Sequence, residues 1–297
     1  MTLRHLRIFI EVCNQNSITK AAQKLHLAQP SVSMAIKEME LYYGAPLFDR
    51  ISRRLYLTDT GKKLLEYARN IAYLFDESDR LLKNNANIGS LKIGSSITIG
   101  TWYMPKFVKI FKEKNPDIKI RVSIGSSDKI EESLLKNNID FALIEATPHS
   151  ENLVKKSFFN SSMSFICSNK HHFASREDVT LNELIKEDLL LRESGSGARQ
   201  IVDSVFLTHD FICKPSWEST STTALINAVA EGIGVSVLPY ELIKPFKDSS
   251  ALSLFRVKSI EFNRNFYFIL HKNKIVTPAI CSFMDICRKN IEDTPNT

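Results

Sequence analysis

No stretch of this chain runs apolar for the ~20 residues that a membrane-spanning helix needs. The opening residues, MTLRHLRIFIEV, scatter charges through their apolar positions. That is the pattern of an amphipathic helix and not of a signal peptide, so a cytoplasmic protein is expected. Cysteine is scarce. The five residues Cys13, Cys167, Cys213, Cys281 and Cys287 are odd in number, unrelated in spacing and free of any C-x-x-C pair. Reduced, mostly buried thiols are expected, and Cys281 and Cys287, six apart on a helix, do not share a face. Catalytic signatures are missing as well. There is no G-x-S-x-G, no H-E-x-x-H and no P-loop. Gly195-Ser196-Gly197 lacks the third glycine and the flanking spacing of a dinucleotide fingerprint. His171 and His172 are neighbours, and adjacent histidines on a loop point in different directions, so no metal site is expected. Neither a catalytic residue nor a cofactor is assigned. From Thr58 to about Asn85 there is no proline and the only glycine is Gly61. Nothing there interrupts a long helix.

What is present is ordinary globular material, 43% apolar and 24% charged, with a length of 297 residues that suggests about two or three domains. The formal net charge is +6, and residues 1–90 hold 13 Lys and Arg against 9 Asp and Glu. That excess permits contact with phosphates without demonstrating it.

The most structured signal is Ser17–Leu41, SITKAAQKLHLAQPSVSMAIKEMEL. Ala21, Ala22 and Leu25 fall on one face of a short helix that Ser17 can cap. The turn is Leu27-Ala28-Gln29, and Pro30 occupies the first turn of the next helix, where a missing N–H does least harm. There Val32, Ala35, Ile36 and Met39 form an apolar stripe, while Ser31, Ser33, Met34 and Lys37 face the other way. A helix crossed by a second with a small, polar outer face is the helix-turn-helix arrangement, whose second helix can enter a major groove. An ordinary helical hairpin is the alternative on this stretch alone. Before it, Leu3–Val12 reads as a helix with Leu3, Leu6, Phe9, Ile10 and Cys13 inward. After it, Gly44 ends the element, Leu47 and Phe48 anchor a core, and Arg50, Arg53 and Arg54 lie on a short strand pair. Thr58 can cap the long helix, along which Leu64, Leu65, Ala68, Ile71, Ala72, Phe75, Ser78 and Leu82 recur at helical spacing. Tyr67, Leu74 and Leu81 run beside them. Such a helix wants a partner, most simply its own copy. Asn84–Ser90 reads as a polar hinge.

In AAQKLHLAQPSVSMAIKEME, LFDR, R-LYLT and G-KLL the chain resembles the LysR-type transcriptional regulators, and the resemblance extends more weakly beyond residue 90. It implies an α/β multidomain protein with an N-terminal winged helix-turn-helix, a long linker helix and a C-terminal two-lobed effector domain of the type 2 periplasmic-binding-protein fold. The expected division is residues 1–58 for DNA binding, 59–88 for the linker helix and hinge, and 89–297 for the effector domain. Lobe I spans about 89–160 and 265–297, and lobe II about 161–264. Gln29, Pro30, Ser31, Ser33, Met34 and Lys37 are expected at the major groove, Gln29 being the side chain most able to read adenine. Arg50, Arg53 and Arg54 are expected at phosphates.

Beyond residue 90, strand and helix signals alternate. LKIGSS, a helix over Ile99–Lys114, IKIRVSIG, a helix over Asp128–Asn137 and DFALIEA read as βαβαβ with a parallel sheet. MSFICS, DLLLRES, PSWES, GIGVSVLP and NFYFILHKN read as further extended segments, with helices near Thr180–Ile185, Ala198–Leu207, Ser221–Glu231, Tyr240–Pro245 and Pro278–Asn290. Ligands of open α/β sheets sit off the carboxyl ends of strands. There the chain places Ser95, Ser96 and Thr98, then Ser126-Ser127, then Ser194, Ser196 and Arg199, and finally Ser221. Hydroxyls with Arg192 and Arg199 suit a small anion. Glu145 and Glu218 could pair with those arginines or bind an amine. The run RESGSGAR, and Glu218 followed by Ser221 and Thr222, resemble a subgroup that includes regulators of sulphur assimilation and carbon fixation. Thr223 and Ile226 depart from its pattern, so a sulphur-related or central-metabolic effector is only the direction suggested. The expected partners are promoter DNA, a second copy of the chain in a dimer and then a tetramer, a small anionic effector, and RNA polymerase; no membrane is among them. A non-specific nucleoid-type DNA binder, and an enzyme or solute-binding module on the α/β lobes, remain as alternatives.

Overall fold

The computed structural model describes residues 1–51, 54–83, 89–176, 178–249 and 251–291. Side chains at 50, 51, 54, 77, 80–83 and 247–249 lie outside that description. The chain divides into two compact units, Met1–Asn87 and Ile88–Thr297.

The first unit contains α1 (Leu3–Gln15), α2 (Ile18–Lys24), α3 (Gln29–Tyr43), the antiparallel pair β1 (Phe48–Ile51) and β2 (Arg54–Leu57), and α4 (Asp59–Lys83). Ser17 caps α2 by accepting the N–H of Lys20. Gly44, at φ 64°, closes α3. The turn between the two helices is one residue shorter than the sequence suggests. Gln29 is already helical, because Ala28 takes the cap position and Pro30 presets the first turn. Val32, Ala35, Ile36 and Met39 are buried with Ala21 and Ala22, whose small side chains let three helices meet closely. α1 buries Leu6, Phe9 and Cys13 as expected, and also Ile8 and Val12. Leu47 is fully buried and Phe48 packs edge-on against Phe9 at 5.5 Å. The Thr58 hydroxyl donates to the Pro46 carbonyl at 2.8 Å and accepts the N–H of Gly61 at 3.0 Å, which ties the start of α4 to the base of the hairpin.

α4 is amphipathic along its described length. Ala68 and Ala72 are buried, and Leu64 and Leu65 pack on the core. Arg69 reaches Asn14 at 3.1 Å, and Arg7 pairs with Asp76, so α1 and α4 lie against each other. On the other side Tyr67, Ile71, Leu74 and Phe75 are exposed. Of the hinge expected at Asn84–Ser90, residues 84–88 lie outside the described residues, as do the side chains of Leu81 and Leu82, and Ser90 already opens a strand.

The second unit holds two sheets. In chain order its elements begin with β3 (Ser90–Ser96), α5 (Ile97–Trp102), α6 (Met104–Lys114), β4 (Lys119–Gly125), α7 (Ser127–Leu135), β5 (Phe141–Ile144), β6 (Leu153–Ser161) and β7 (Met163–Ser168). They continue with β8 (Asp178–Val179), α8 (Leu181–Leu184), β9 (Leu190–Arg192), α9 (Gly197–Leu207), β10 (Trp217–Ser219) and α10 (Thr222–Ala230). The last are β11 (Ser236–Pro239), α11 (Tyr240–Ile243), β12 (Leu252–Val257), β13 (Arg264–His271) and α12 (Pro278–Asn290). The first sheet is ordered β4-β3-β5-β13-β6 and the second β11-β7-β12-β8, with β9 and β10 as a parallel pair. The chain passes between the sheets at Ser162 and again over residues 258–263.

Three expectations change. The helix over Ile99–Lys114 is two helices broken at Tyr103, because Pro105 has no N–H to continue the ladder. The parallel set β4-β3-β5 is extended into a mixed sheet by β13, antiparallel to β5, and by β6, antiparallel in turn to β13. The strands β6, β8 and β12 carry no clear sequence signal. β6 alternates poorly, since Lys155, Lys156 and Ser157 are all exposed in a row. Aromatic packing fills the first sheet's core, with Tyr103, Phe107, Phe111, Phe159, Phe266 and Phe283 among its buried members.

Candidate functional site

Two regions concentrate chemistry. In the first, α3 presents Gln29, Pro30, Ser31, Met34 and Lys37 exposed, with Ser33 half-buried. The four buried positions on its other side fix which face is outward. Met34 is 62% exposed, an expanse of apolar surface that no neighbour within its unit covers. Arg53 and the side chains of Arg50 and Arg54 lie outside the described residues.

The second region lies where the carboxyl ends of β3, β4 and β5 meet the loop after β9. Register aligns them: Ser96 pairs with Gly125, and Ser95 with Leu143. The next residues along each strand, Ser126-Ser127 and Glu145, therefore come out at one edge. Ser95, Ser96 and Thr98 are buried. Ser95 donates to the carbonyl of Ser96 at 3.1 Å. The hydroxyls of Ser96, Thr98 and Ser127 are buried with no hydrogen-bond partner. A buried hydroxyl left unpaired costs about 1–3 kcal/mol, and three in one neighbourhood call for an explanation. Ser126 is half-buried and caps α7 without a side-chain bond. Ser127 is the informative member of that pair.

The second lobe closes against this edge. A Cβ on Gly197 would sit 2.5 Å from Glu145 Cγ and 2.8 Å from Ser127 Oγ, so the first turn of α9 approaches the first turn of α7 as closely as a bare backbone allows. Gly195, at φ 84°, brings its carbonyl to the N–H of Asp128 at 3.4 Å. Asp128 also accepts from Gln200 at 3.0 Å and lies 3.5 Å from His149, forming a polar clasp across the lobes. Ser194 is exposed, whereas Ser196 is buried and caps α9 through the N–H of Arg199. Ser221 is exposed and caps α10 through the N–H of Ala224.

The two arginines do not supply uncommitted positive charge; of the two readings left open for Glu218, pairing with Arg199 is the one seen. Arg192 is buried and bound by both oxygens of Glu193, at 2.8 and 3.0 Å, and by Thr222 at 3.2 Å. Arg199 is held by Asp203 at 2.8 Å and by Glu218 at 3.0 Å. Burial opposes its charge, yet these carboxylates raise its pKa. Each guanidinium has carboxylate neighbours close in sequence or across a strand pair, and these neutralise it before any ligand arrives. Glu145 is likewise taken, by Arg264. That residue is fully buried and joins Glu145, Glu241 (3.2 Å) and the Ser161 hydroxyl (3.0 Å), with its Nε unpaired. Burial opposes the guanidinium's charge, but the two carboxylates outweigh it and raise its pKa. Tyr103 donates to Glu241 at 3.3 Å, so the end of β5, β6, β13, the break between α5 and α6, and α11 share one buried polar knot. Arg264, Glu241, Ser161 and Tyr103 escape the sequence reading. The one available signal is a charge stranded in apolar context, as in PYELI and NRNFYFIL.

The histidine pair also departs from expectation. His171 and His172 stack with centroids 4.4 Å apart, and each turns Nε2 toward Glu187 at 3.3 Å. The thiols behave as the sequence suggests. Burial pushes Cys13 up to about 12, Cys167 and Cys213 up to about 11, and Cys287 well above the ordinary value, while Cys281 is exposed.

Residues 3–62 match the family model described as bacterial regulatory helix-turn-helix protein, lysR family, and residues 84–292 match the LysR substrate binding domain. The chain is 28% identical over 287 residues to the RuBisCO operon transcriptional regulator of Allochromatium vinosum, covering 96% of this chain and 95% of that protein. A full-length OxyR variant from Pseudomonas aeruginosa superposes with a TM-score of 0.71 at 20% identity, covering 97% of this chain and 95% of that one. The regulatory domain of Synechocystis CcmR, solved in complex with 2-PG, superposes with a TM-score of 0.63 at 22% identity. It covers 68% of this chain and 96% of that one.

Proposed function

This chain belongs to the LysR family of DNA-binding transcriptional regulators, and we propose that its hydroxyl-lined edge between the two lobes senses a small anion while the outer face of α3 reads DNA. The unpaired hydroxyls of Ser96, Thr98 and Ser127 carry the effector reading. Because Arg192, Arg199 and Arg264 are each engaged by carboxylates, the anion is held by neutral donors: these hydroxyls and the amides at the first turns of α7 and α9. Ser95, Ser126, Glu145, Ser194, Ser196, Glu218 and Ser221 line or shape the same region. A small anion agrees with the 2-PG bound by the Synechocystis domain and with the carbon-fixation relatives. The sulphur direction rests on the subgroup resemblance in RESGSGAR.

On the DNA side, Gln29 reads a base edge, Ser31, Ser33, Met34 and Lys37 line the groove, and Arg50, Arg53 and Arg54 hold phosphates. The stripe Tyr67, Ile71, Leu74 and Phe75 pairs α4 with a second copy, dimers assemble into a tetramer, and effector binding alters their arrangement on DNA and their contact with RNA polymerase. Residues 1–58, 59–88 and 89–297 divide these tasks. A ligand can bias the assembly only by binding one arrangement better than another.

The test is a footprint on the DNA upstream of the chain's own gene at physiological salt, with and without 2-PG, sulfate or phosphate. A discrete two-fold-symmetric site that changes extent with one of these anions supports the reading. Uniform protection that vanishes with salt defeats the sequence-specific part. A site unmoved by every anion, together with unchanged thermal stability of the chain in their presence, defeats the anion part. Gln29→Ala should relax sequence preference, whereas Arg53→Ala should weaken all sequences and shallow the salt slope by about 0.9. Identical behaviour of the two variants would overturn the division of roles.

A further inference from the structure

We propose that His171, His172 and Glu187 form a binding site for a first-row divalent metal ion of the zinc class, at the pole of the second lobe opposite the cleft. Among the described residues, this is the one group of three metal-ligating side chains whose ligand atoms all lie within 4.8 Å of one another. Both histidine Nε2 atoms lie 3.3 Å from an oxygen of Glu187. Ligands bound at 2.0–2.1 Å in a tetrahedron are separated by about 3.3–3.4 Å, and each imidazole already stands at that spacing from a carboxylate oxygen, His171 from Oε2 and His172 from Oε1. Bringing one oxygen and both imidazoles round a single ion takes rotation of the carboxylate and of His172, which is 63% exposed. Two imidazoles and a carboxylate favour zinc, copper, nickel or cobalt over magnesium or calcium, which prefer oxygen. The exposed side leaves room for water to complete the coordination.

The ligands are held by a braced loop. Phe173, fully buried against Phe255, anchors the segment that carries both histidines. The N–H of His171 reaches the carbonyl of Ser168 at 2.9 Å, and that of Ala174 reaches the carbonyl of His171 at 2.9 Å. Arg176 clamps the far end of the loop to Glu183 at 2.6 Å, and Glu187 follows directly on that helix through its N–H to Leu184. Topology places the trio away from the effector region. β7 begins at the crossing between lobes and the histidines follow its far end. β9 begins just after Glu187 and delivers Arg192 to the cleft at its other end. The metal therefore acts as a staple between the β7–β8 loop and the turn after α8.

One contact limits the affinity. His171 Nδ1 accepts the N–H of Phe173 at 3.2 Å, which places the ring proton on Nε2, facing Glu187. Coordination at Nε2 transfers that proton to Nδ1 and gives up the Phe173 contact. The site therefore binds more weakly than a preformed closed zinc centre.

The experiment uses the full chain, freed of any histidine tag and treated with chelator, titrated with zinc by calorimetry and with cobalt by absorption. One equivalent of zinc should bind, with a four- or five-coordinate cobalt spectrum and a raised unfolding midpoint. His172→Ala and Glu187→Gln should each lower the affinity at least about tenfold. His172→Ala removes an exposed side chain, so its folding is not in question, and Glu187→Gln keeps the shape of the carboxylate. His149→Ala is the control and should bind as the unaltered chain does. No saturable zinc binding, or binding equally strong in the His172→Ala and Glu187→Gln variants, overturns the proposal.

Discussion

Gly197→Ala tests whether the lobes rest closed in the free chain. Gly197 is the first residue of α9, and its φ is not in the left-handed region, so alanine meets no backbone strain there. In a helix alanine is better than glycine by about 0.8–1 kcal/mol, less in the first turn, so an isolated α9 would be stabilised. Against this, the new methyl would stand 2.5 Å from Glu145 Cγ, 2.8 Å from Ser127 Oγ and 3.3 Å from the Ala146 Cβ. Ordinary contact at a Cβ begins near 3.4 Å, so the first two fall short by about 0.6–0.9 Å. The atom at 2.5 Å belongs to a side chain pinned by Arg264 and cannot swing aside. Overpacking of this kind costs about 1–3 kcal/mol. The net expectation is a loss of about 1–2 kcal/mol for the closed arrangement. It would be read as a lowered urea midpoint with an unchanged slope. Ser127→Ala alone should be near neutral or slightly stabilising, since it deletes an unpaired hydroxyl. Combined with Gly197→Ala it should recover part of the loss, because it removes one of the two short contacts. A midpoint equal to or above that of the unaltered chain would refute the reasoning: the lobes would then stand apart and the alanine would act only through helix propensity.

Arg264→Met should destabilise the chain by about 3–5 kcal/mol, because it strands two carboxylates in the interior, whereas Glu241→Gln should be markedly milder. Urea unfolding ranks the two, and the reverse order would mean that the knot is not held by the guanidinium. Thiol titration at neutral pH should find one fast-reacting cysteine, Cys281, and four slow ones. The thiols of Cys13, Cys167 and Cys213 keep their protons up to about 11–12 when folded, against 9.0 in the open chain. Their contribution to stability is therefore full below pH 9 and is lost as the pH rises through that window; an alkaline unfolding transition that starts well below pH 9 would contradict it. Ile71→Asp places a charge in the exposed stripe of α4 and should lower self-association in sedimentation without lowering the thermal midpoint of the monomer.

Local signals carried the first unit. Ser17, Pro30 and Gly44 mark helix boundaries by chemistry that acts within a turn, and the stripe Val32, Ala35, Ile36, Met39 needs only the helical period to be recognised. For the same reason the outward face of α3 could be named residue by residue. The second unit was legible where strands are apolar and helices are capped, as in β3, β7 and α12. It was illegible where a strand is defined by its neighbours: β6 and β12 are strands because β13 and β7 offer them an edge. The hydroxyls at the strand ends could be named from the sequence, but which of them are buried, paired or capping was not visible. Ser196 and Ser221 cap helices, whereas Ser96, Thr98 and Ser127 are buried with unpaired hydroxyls.

What the sequence by itself determined is the family, the helix-turn-helix and the alternation of strand and helix, because all of these depend on residue type and short-range order. Tertiary structure alone decided which charges are available. Arg192, Arg199, Arg264, Glu145 and Glu241 read identically as charged letters, yet Arg264 sits 119 residues from Glu145 in the chain and in direct contact with it in the fold. It likewise brought His171 and His172 onto Glu187, 16 residues from the first of them. Coulomb attraction, desolvation and metal-ligand geometry depend on distances of a few ångströms, and positions so far apart in the chain acquire such distances only when it is packed.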